Sequence, residues 1–564
     1  MNYKLGRENL KDYLGVQIIA FGVLINGLIL IFSNLISELV RHNYRNSEFS
    51  IQLYILIGLT LIYLANLLWR RKYTAWLFTL LVYGFYLIVS FNHLTSRHLY
   101  HHYSMSLFRD FILPLIIVIA LIIARKAFNV RSDIRSFSFS LRIILIVIAV
   151  TMVYGIAGFQ LMDHSDFHTD IDFTQSIHRT IDQFGLTTSD NLIPYTNKAR
   201  VFLDSLNIIS IAAIAYILLS LFQPIKARYE DQTLNRERVT KLLSSSHNNS
   251  EDFFKIWPHD KYYYFNSKKN AGVAFSVHRG IALVVGDPFG AVVEFKALIT
   301  AFTEFCRIND WTPSFIHTEG HFNPLYKNLD FDHQKIGEEA VVNTKHFHDN
   351  VVTNKYFRQI NNRFIKNKYS YEVLIPPHNK AIIDRLKVIS KDWLSLPGRT
   401  ERGFMMGYFA EVYLQQCNVL VIRDEASTIQ AFLNQIPSFN KDEANFDMLR
   451  HSKNALGNSN DFLLLNFIEY AYKEGFISVN LGLCPLVGLD KDEENRSLID
   501  SALSFLYSNG DRFYSFSGLY KFKQKYEPNW SDRFIVYKNG VRIFSRTLNS
   551  LNVAMKPNRH KVKK

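Results

Sequence analysis

Hydrophobic and polar positions divide this chain into two unlike parts, and the change falls at about Lys226. Ahead of it run six long apolar stretches, approximately Tyr13–Ile36, Ile51–Trp69, Tyr73–Phe91, Leu107–Ala124, Leu141–Leu161 and Val201–Phe222. Each reaches the roughly 20 residues that a helix needs to cross the hydrocarbon of a bilayer. The pattern predicts a polytopic α-helical membrane domain of six spans over residues 1–225. The first stretch is too long for a signal peptide, and Glu38 and Arg41 follow it in place of a small-residue cleavage site.

After Lys226 no stretch is long and apolar enough to span. Residues 226–250 are polar and end in Ser244-Ser-Ser-His-Asn-Asn-Ser250, the composition of a linker. β-rich runs at Val273–His278 and Ile281–Val285, separated by Arg279-Gly280, predict a hairpin. Helical patterns follow at Ala291–Cys306, Asn354–Lys368 and Asn379–Trp393, with a strand at Val373–Ile375. The alternation recurs with strands at Val419–Ile422 and Thr428–Asn434, a helix at Asp461–Glu474 and a strand at Ile477–Leu481. Two α+β subdomains of ordinary size are expected, over 251–395 and 396–564.

Charge changes the picture by giving the membrane domain a direction. Lys4, Arg7 and Lys11, then Arg70-Arg71-Lys72, then Arg125, Lys126, Arg131, Arg135 and Arg142, then Lys226 and Arg228 all fall on one side of a six-span arrangement. Basic short loops stay in the cytoplasm, which places both termini and the large domain there. The net charge is +14, and the soluble half adds Lys521–Lys525 and a basic tail from Lys556 to Lys564. Such a surface suits anionic lipid headgroups and RNA phosphates equally. Cys306, Cys417 and Cys484 form no CxxC pair or zinc spacing and read as free thiols. His93, His98, His101 and His102 lack acidic or thiol partners nearby, so no metal is expected.

Several short motifs carry candidate chemistry, each with a plain structural reading beside it. Gly286-Asp-Pro-Phe-Gly290 follows a strand and reads as a turn, not as a phosphate loop. Asp447 and Arg450, three apart, would share one face of a helix, as a surface ion pair would. Asn480-Leu-Gly-Leu-Cys-Pro485 runs from a buried strand into a Gly/Pro turn. Around Gly518–Arg533, bases alternate with aromatics. In a strand, Lys521, Lys523 and Lys525 would present one ridge to a polyanion.

Taken in order, these motifs resemble the synthase half of the multiple peptide resistance factor family, the phosphatidylglycerol lysyltransferases. The residues that carry the likeness are Gly286–Gly290; Lys335-Ile-Gly-Glu-Glu-Ala340; Trp393, Glu401-Arg-Gly-Phe404 and Gly407-Tyr-Phe409; Asp447-Met-Leu-Arg450; Asn480–Pro485; and Phe522-Lys-Gln-Lys-Tyr526 with Trp530 and Arg533. Cys484 and Tyr520 depart from the family's pattern, which has a small and a basic residue there. The resemblance implies two tandem acetyltransferase-like (GNAT) folds, an aminoacyl-tRNA donor carrying most commonly lysine, and phosphatidylglycerol as acceptor. The product is a cationic lipid that weakens attack by cationic antimicrobial peptides. The six expected spans look like the synthase-associated set, without the additional flippase helices.

The implied reaction exchanges one ester for another, so it requires no cofactor. On the matched motifs, Asp447, Arg450 and Glu401 are the expected catalytic group. Asp447 would activate the hydroxyl or hold the donor's amino group, Arg450 would orient it or grip a phosphate, and Glu401 would bind the aminoacyl ammonium. Lys521, Lys523, Lys525, Arg533, Asn480, Trp530 and Phe404 are the expected substrate-binding residues. The basic helix with Lys355, Arg358, Arg363, Lys366 and Lys368 is a second candidate tRNA surface. Expected partners are aminoacyl-tRNA, phosphatidylglycerol and the membrane of a bacterial cell, with a homo-oligomer left open. Competing readings are an alanyl or arginyl donor, a membrane-anchored acyltransferase, a peptidoglycan aminoacyltransferase, and a transporter with a cytoplasmic regulatory domain.

Overall fold

The apolar stretches before Lys226 fold as helices, the form in which a segment satisfies its own backbone polar groups. They are α1 (Glu8–Val40), α2 (Glu48–Trp69), α3 (Tyr73–Ser96), α4 (Leu113–Ile123), α5 (Ile134–Gln160), the amphipathic α6 (Phe173–Phe184) and α7 (Asn197–Leu221). The computed structural model describes residues 8–40, 48–96, 111–130, 134–162, 164–184, 194–221, 232–245, 249–485, 487, 516–538 and 540–556. Residues 1–226 with 307–310 form one compact unit and the remainder a second.

Within the first unit, α1 and α2 approach closely through Gly27 and Gly58. A methyl on either would lie 2.8 or 2.7 Å from the other's carbonyl oxygen, the small-residue contact that lets membrane helices meet backbone to backbone. Val16, Val23, Leu64, Leu68 and Leu121 form the core there, and Trp76 Nε1 donates to the Leu121 carbonyl at 2.7 Å. Among the described residues, one helical stretch, Gly15–Phe32, is long and apolar enough to cross a bilayer. Ile57–Trp69, Tyr73–Ile88 and Ile148–Gln160 are apolar but shorter. The expectation of six full spans is corrected accordingly. α4 has only 11 residues, α5 carries Arg135 and Arg142 in its first half, and α7 opens with Lys198, Arg200 and Asp204.

The second unit is built on one 12-stranded sheet. Its strands are β1 (Tyr262–Phe265), β2 (Ala271–His278), β3 (Ile281–Val285), β4 (Phe289–Gly290), β5 (Thr312–Glu319), β6 (Phe331–Asn343), β7 (Ser370–Leu374), β8 (Val419–Arg423), β9 (Ile429–Gln435), β10 (Glu443–His451), β11 (Ser478–Pro485) and β12 (Asn529–Lys538). Its helices are α8 (Thr233–Ser244), α9 (Phe295–Ile308), α10 (Lys355–Lys366), α11 (Lys380–Leu394), α12 (Ser459–Lys473), α13 (Phe516–Gln524) and α14 (Val541–Ala554). The strand order is β1-β2-β3-β5-β12-β6-β11-β10-β9-β8-β7, with β4 paired to β2.

One arrangement occurs twice. A meander of antiparallel strands ends in a strand (β3 or β10), a helix crosses over (α9 or α12), and the next strand (β5 or β11) returns parallel to it. Parallel neighbours need such a crossover, and the same unit thus occurs once in each half of the sheet. The expected hairpin at Arg279-Gly280 forms, with φ of 50° and 77° at those residues.

The two units of the repeat are woven rather than consecutive. β12 inserts between β5 and β6, antiparallel to both. Ile535 and Tyr537 of β12, with Phe544 and Leu548 of α14, join Ile281 and Leu283 in one core. Conversely β7 pairs with β8, and α11 packs on β9 and β10. The expected division into 251–395 and 396–564 is therefore crossed in both directions. The expected linker 226–250 contains α8, whose Val239 and Leu243 pack against Ala274 and Phe289.

The halves join through β6 and β11, and Gly337 is the tight point. Its φ is +154°, and a Cβ there would stand 2.2 Å from the Cys484 carbonyl oxygen of β11. Gly337→Ala is expected to lower the stability of this unit by roughly 3 kcal/mol, since backbone must move on both strands. Urea or thermal unfolding checks this, and an unchanged midpoint would remove the strain argument.

Candidate active site

Four strand pairs change register at the middle of the sheet. β10 slips against β9 between Phe446 and Leu449, and β11 against β6 between Asn480 and Leu483. β12 slips against β6 between Arg533 and Phe534, and against β5 between Phe534 and Ile535. Bulges of this kind re-aim side chains. Here they turn Asp447, Asn480, Arg533 and His317 out of simple alternation.

One cluster gathers around Asp447. The bulge sets Asp447 and Met448 together opposite Asn434, whose Oδ1 accepts from the Met448 N–H at 2.8 Å. Tyr413 donates its hydroxyl to Asp447 Oδ2 at 3.1 Å. Gly407 lies so close that a Cβ would be 1.9 Å from the same oxygen, so any larger residue there would displace the Asp447 carboxylate and the Tyr413 ring. Burial pushes the Asp447 carboxyl up to about 6, against the pull of the Gly407 N–H, Tyr413 and Arg450. Arg450 is buried. Its Nη1 donates to Glu401 Oε1 at 3.1 Å and to the Ser390 hydroxyl, and its guanidinium lies 5.0 Å from the Trp393 ring centre. Glu401 also accepts from the Phe409 N–H at 2.9 Å. Phe404 is fully buried at φ 66°, and its carbonyl accepts from Lys261 Nζ. The expected helix carrying Asp447 and Arg450 is thus a strand, and the bulge brings the two into one charged group.

A second cluster fills the sheet centre. Arg533 Nη2 donates to Glu339 Oε2, both residues being buried. His317 takes the left-handed backbone (φ 68°) and lies 3.3 Å from a Glu251 oxygen and 3.7 Å from Glu339. Asn480 Nδ2 reaches Glu443 Oε1 at 3.5 Å, and Ser250 donates to the same oxygen. Lys523 is buried, and its Nζ donates to the Gly482 and Leu483 carbonyls at 2.8 and 3.1 Å. Burial brings its ammonium down to about 8.

Beside this cluster opens a cavity of about 380 Å³. Five carboxylates line it, from Glu251, Asp252, Asp287, Glu319 and Glu443, against the two full cations of Lys255 and Arg533. Burial, then the neighbouring Glu339, drives Glu251 well above its ordinary range. Burial likewise raises Asp252 and Glu443, and carries Asp287 up to about 7. Burial is the first cause of each shift, so these carboxyls hold protons more readily than ordinary ones, even with Lys255 paired to Asp252 at 2.7 Å; a cation entering the cavity would favour their charged form. One atom each of Glu251, His317 and Glu339 lies within 4.8 Å of the others, a spacing a metal could use. The Arg533 guanidinium already supplies positive charge at Glu339 and opposes a second cation there.

The remaining expected residues scatter. Lys521, Lys523 and Lys525 lie on or just beyond the helix α13, not on a strand, so they form no ridge. Lys521 is exposed, while Lys525 is spent on Asp461 and the Tyr356 hydroxyl. Trp530 stacks on Tyr520 at 4.9 Å. Lys355, Arg358, Arg363, Lys366 and Lys368 are all exposed on or just after α10, and Lys368 pairs with Glu425. His98, His101, His102, Gly488 and the basic tail beyond Lys556 lie outside the described residues. Sequence reasoning missed Glu251, His317, Glu443 and Tyr413, gave Glu339 no role although its motif carried the family likeness, and read Asp287 as part of a turn. Asp287 instead accepts from Tyr326 Oη and the Glu319 N–H, both at 2.9 Å. The available signal was Glu338-Glu339 inside a strand that becomes apolar at Ala340-Val-Val342.

Comparison with known proteins places this geometry. Phosphatidylglycerol lysyltransferase of Staphylococcus epidermidis strain RP62A is 27% identical over 298 residues, covering 53% of this chain and 35% of that protein. The Bacillus subtilis strain 168 protein of the same name is 30% identical over 279 residues, 50% of this chain and 32% of its own length. The chain thus spans about a third of the length of these curated relatives. The solved structure of L-PGS from Bacillus licheniformis superposes with a TM-score of 0.51 at 26% identity, covering 59% of this chain and 98% of that one. A family model, "Phosphatidylglycerol lysyltransferase, C-terminal", matches residues 240–537. With more than half of its residues matched and both site clusters inside the matched region, the chain belongs to the phosphatidylglycerol lysyltransferase C-terminal family.

Proposed function

We propose that this chain transfers a lysyl group from lysyl-tRNA to a glycerol hydroxyl of phosphatidylglycerol, giving a cationic lipid. The observation that carries the lysyl assignment is the cavity at the sheet centre, with its five carboxylates against two full cations. A lysyl residue brings two ammonium groups, and each would relieve carboxylates that burial now holds above their ordinary range. An alanyl donor would bring one.

The reaction forms a bond from the lipid hydroxyl oxygen to the aminoacyl carbonyl carbon and breaks the bond from that carbon to the tRNA ribose oxygen. The hydroxyl proton passes to a base and then to the departing ribose oxygen. Asp447 is the proposed base. Its carboxyl titrates near 6, close enough to neutrality both to accept a proton and to release it. Tyr413 and Gly407 hold it in place, while Glu401 and Ser390 hold Arg450 beside it. Arg450 then faces the charge that develops on the carbonyl or phosphate oxygens. Arg533 lines the cavity, Asn480 reaches Glu443 in its wall, Lys523 holds the Gly482 and Leu483 carbonyls, and the exposed face of α10 offers a phosphate-binding surface to the tRNA.

The proposed setting is a bacterial cell membrane, which Gly15–Phe32 of the first unit is long and apolar enough to cross, with the catalytic unit on the cytoplasmic side. Outward apolar side chains such as Ile18, Phe21, Ile116 and Val150, each more than half exposed, are of the kind a bilayer covers.

Asp447→Asn should lower aminoacyl-lipid formation by about 10² or more while the fold persists. In the parent, kcat/KM should fall as pH drops through about 6. The folded carboxyl titrates above its unfolded range, so it lends stability only at low pH and loses it as pH rises through about 6. Asn should therefore not lower the unfolding midpoint at pH 8. A variant that keeps full activity would remove Asp447 from the mechanism.

Reconstituted enzyme offered lysyl-tRNA and alanyl-tRNA should prefer the former, and Glu319→Gln should shrink that preference by roughly tenfold. Equal use of both donors by the parent would sink the lysyl assignment. Reversing charge at Arg358 and Arg363 should weaken tRNA binding and reduce the salt slope by about 1 for each phosphate that these side chains neutralise. An unchanged slope would leave α10 a solvated face.

A further inference from the structure

At the mouth of the acidic cavity, the turn after β4 pushes two valines into solvent. Val293 is 90% exposed, the highest among the large apolar side chains of the described residues, and Val292 is 62% exposed. The turn is fixed rather than loose. Gly290 has φ +96°, and a Cβ there would lie 2.2 Å from the Asn270 carbonyl oxygen. That same carbonyl accepts from the Ala291 N–H at 3.0 Å, and Lys268 Nζ bonds Glu294 at 2.7 Å. The β2–β4 pairing of Ala271 with Gly290 completes the clamp.

The surroundings of this tip are basic. Lys268 and Lys269 stand in the neighbouring turn that the Asn270 contact holds against it, and Lys296 follows on α9; all three are exposed. Behind the tip, Val292, Phe295 and Phe322 line the cavity together with the carboxylates. An exposed apolar tip ringed by lysines and backed by a cavity fits the headgroup layer of an anionic bilayer. Valine side chains leave water there while lysines meet phosphate.

We propose that Val292-Val293 is a membrane-dipping lip, inserted into phosphatidylglycerol-containing bilayer. It would hold the mouth of the cavity at the level where the lipid headgroup lies. This deepens the functional reading above by naming where the acceptor lipid enters, and it rests on that reading for the lipid's role in the reaction. The insertion itself can be tested without any transfer activity.

The full-length chain carrying Val293→Cys gives one accessible thiol, since Cys306, Cys417 and Cys484 are buried. It would be labelled with an environment-sensitive nitrobenzoxadiazole dye and reconstituted into vesicles with or without phosphatidylglycerol, some containing doxyl-labelled lipid. The expected result is blue-shifted emission and at least about twofold quenching by the doxyl lipid in phosphatidylglycerol vesicles. The same dye at Val388→Cys, on the solvent side of α11, should remain water-like. Lys269→Glu with Lys296→Glu should weaken the quenching several-fold. Water-like emission at position 293 in phosphatidylglycerol vesicles would overturn the proposal. So would quenching that is equal in vesicles of neutral lipid and indifferent to the lysines.

In transfer assays, Val293→Asp should raise the apparent KM for bilayer phosphatidylglycerol about tenfold. It should leave the KM for aminoacyl-tRNA and the use of a dispersed short-chain phosphatidylglycerol unchanged. Quenching without transfer by the parent would support the lip and sink the enzymatic reading. Transfer without quenching would do the reverse.

Discussion

Arg533 and Glu339 meet in the interior of a 12-stranded sheet, where Glu339 is wholly buried and Arg533 reaches only the cavity edge. Burial opposes the ionisation of Glu339, yet His317, then the guanidinium, hold its carboxyl below the ordinary range. Removing one partner of such a pair typically costs about 3–5 kcal/mol, because the other charge is left stranded. The pair stands on β12 and β6, the two strands that weave the repeated halves together. Sheet continuity and site electrostatics therefore depend on the same two side chains.

That dependence explains the weave. A strand from the C-terminal end between β5 and β6 places Arg533 next to residues more than 190 positions earlier in the chain. It also pins α14 over β2 and β3. The register slips lie where these strands carry their polar residues: Asn480 on β11, Arg533 on β12, His317 on β5 and Asp447 on β10. An unbroken ladder would alternate side chains strictly between faces. Each slip breaks that alternation and lets polar groups from several strands converge on one level.

The same slips decide what the sequence could disclose. Regular elements were legible because their periodicity is local. The hairpin at Arg279-Gly280 and the helices near Phe295–Ile308, Lys380–Leu394 and Ser459–Lys473 follow the apolar pattern closely. Asp447 and Arg450 were legible as residues but not as geometry. Their i, i+3 spacing suits a helix, and only the bulge opposite Asn434 makes it suit a strand. Lys521, Lys523 and Lys525 show the opposite error, since an alternating pattern that suits a strand lies at the end of a helix. Glu251, His317 and Glu443 were out of reach, because their meeting depends on pairings across the whole sheet and on no local pattern.

The two clusters also differ in what they ask of a ligand. Around Asp447 and Arg450, donors and acceptors are already matched by Tyr413, Glu401, Ser390 and backbone, as a preorganised group requires. The cavity is the reverse. Glu251, Asp252, Asp287 and Glu443 are all held above their ordinary range, first of all by burial, although Lys255 pairs with Asp252. A fold that raises carboxyls in this way loses stability as pH rises through their folded range, and a cationic ligand restores it by linkage. Binding through such charge strengthens as pH rises and weakens with salt. In the proposed reaction the cavity would hold the cationic acyl group, and the Asp447 group would act on its ester.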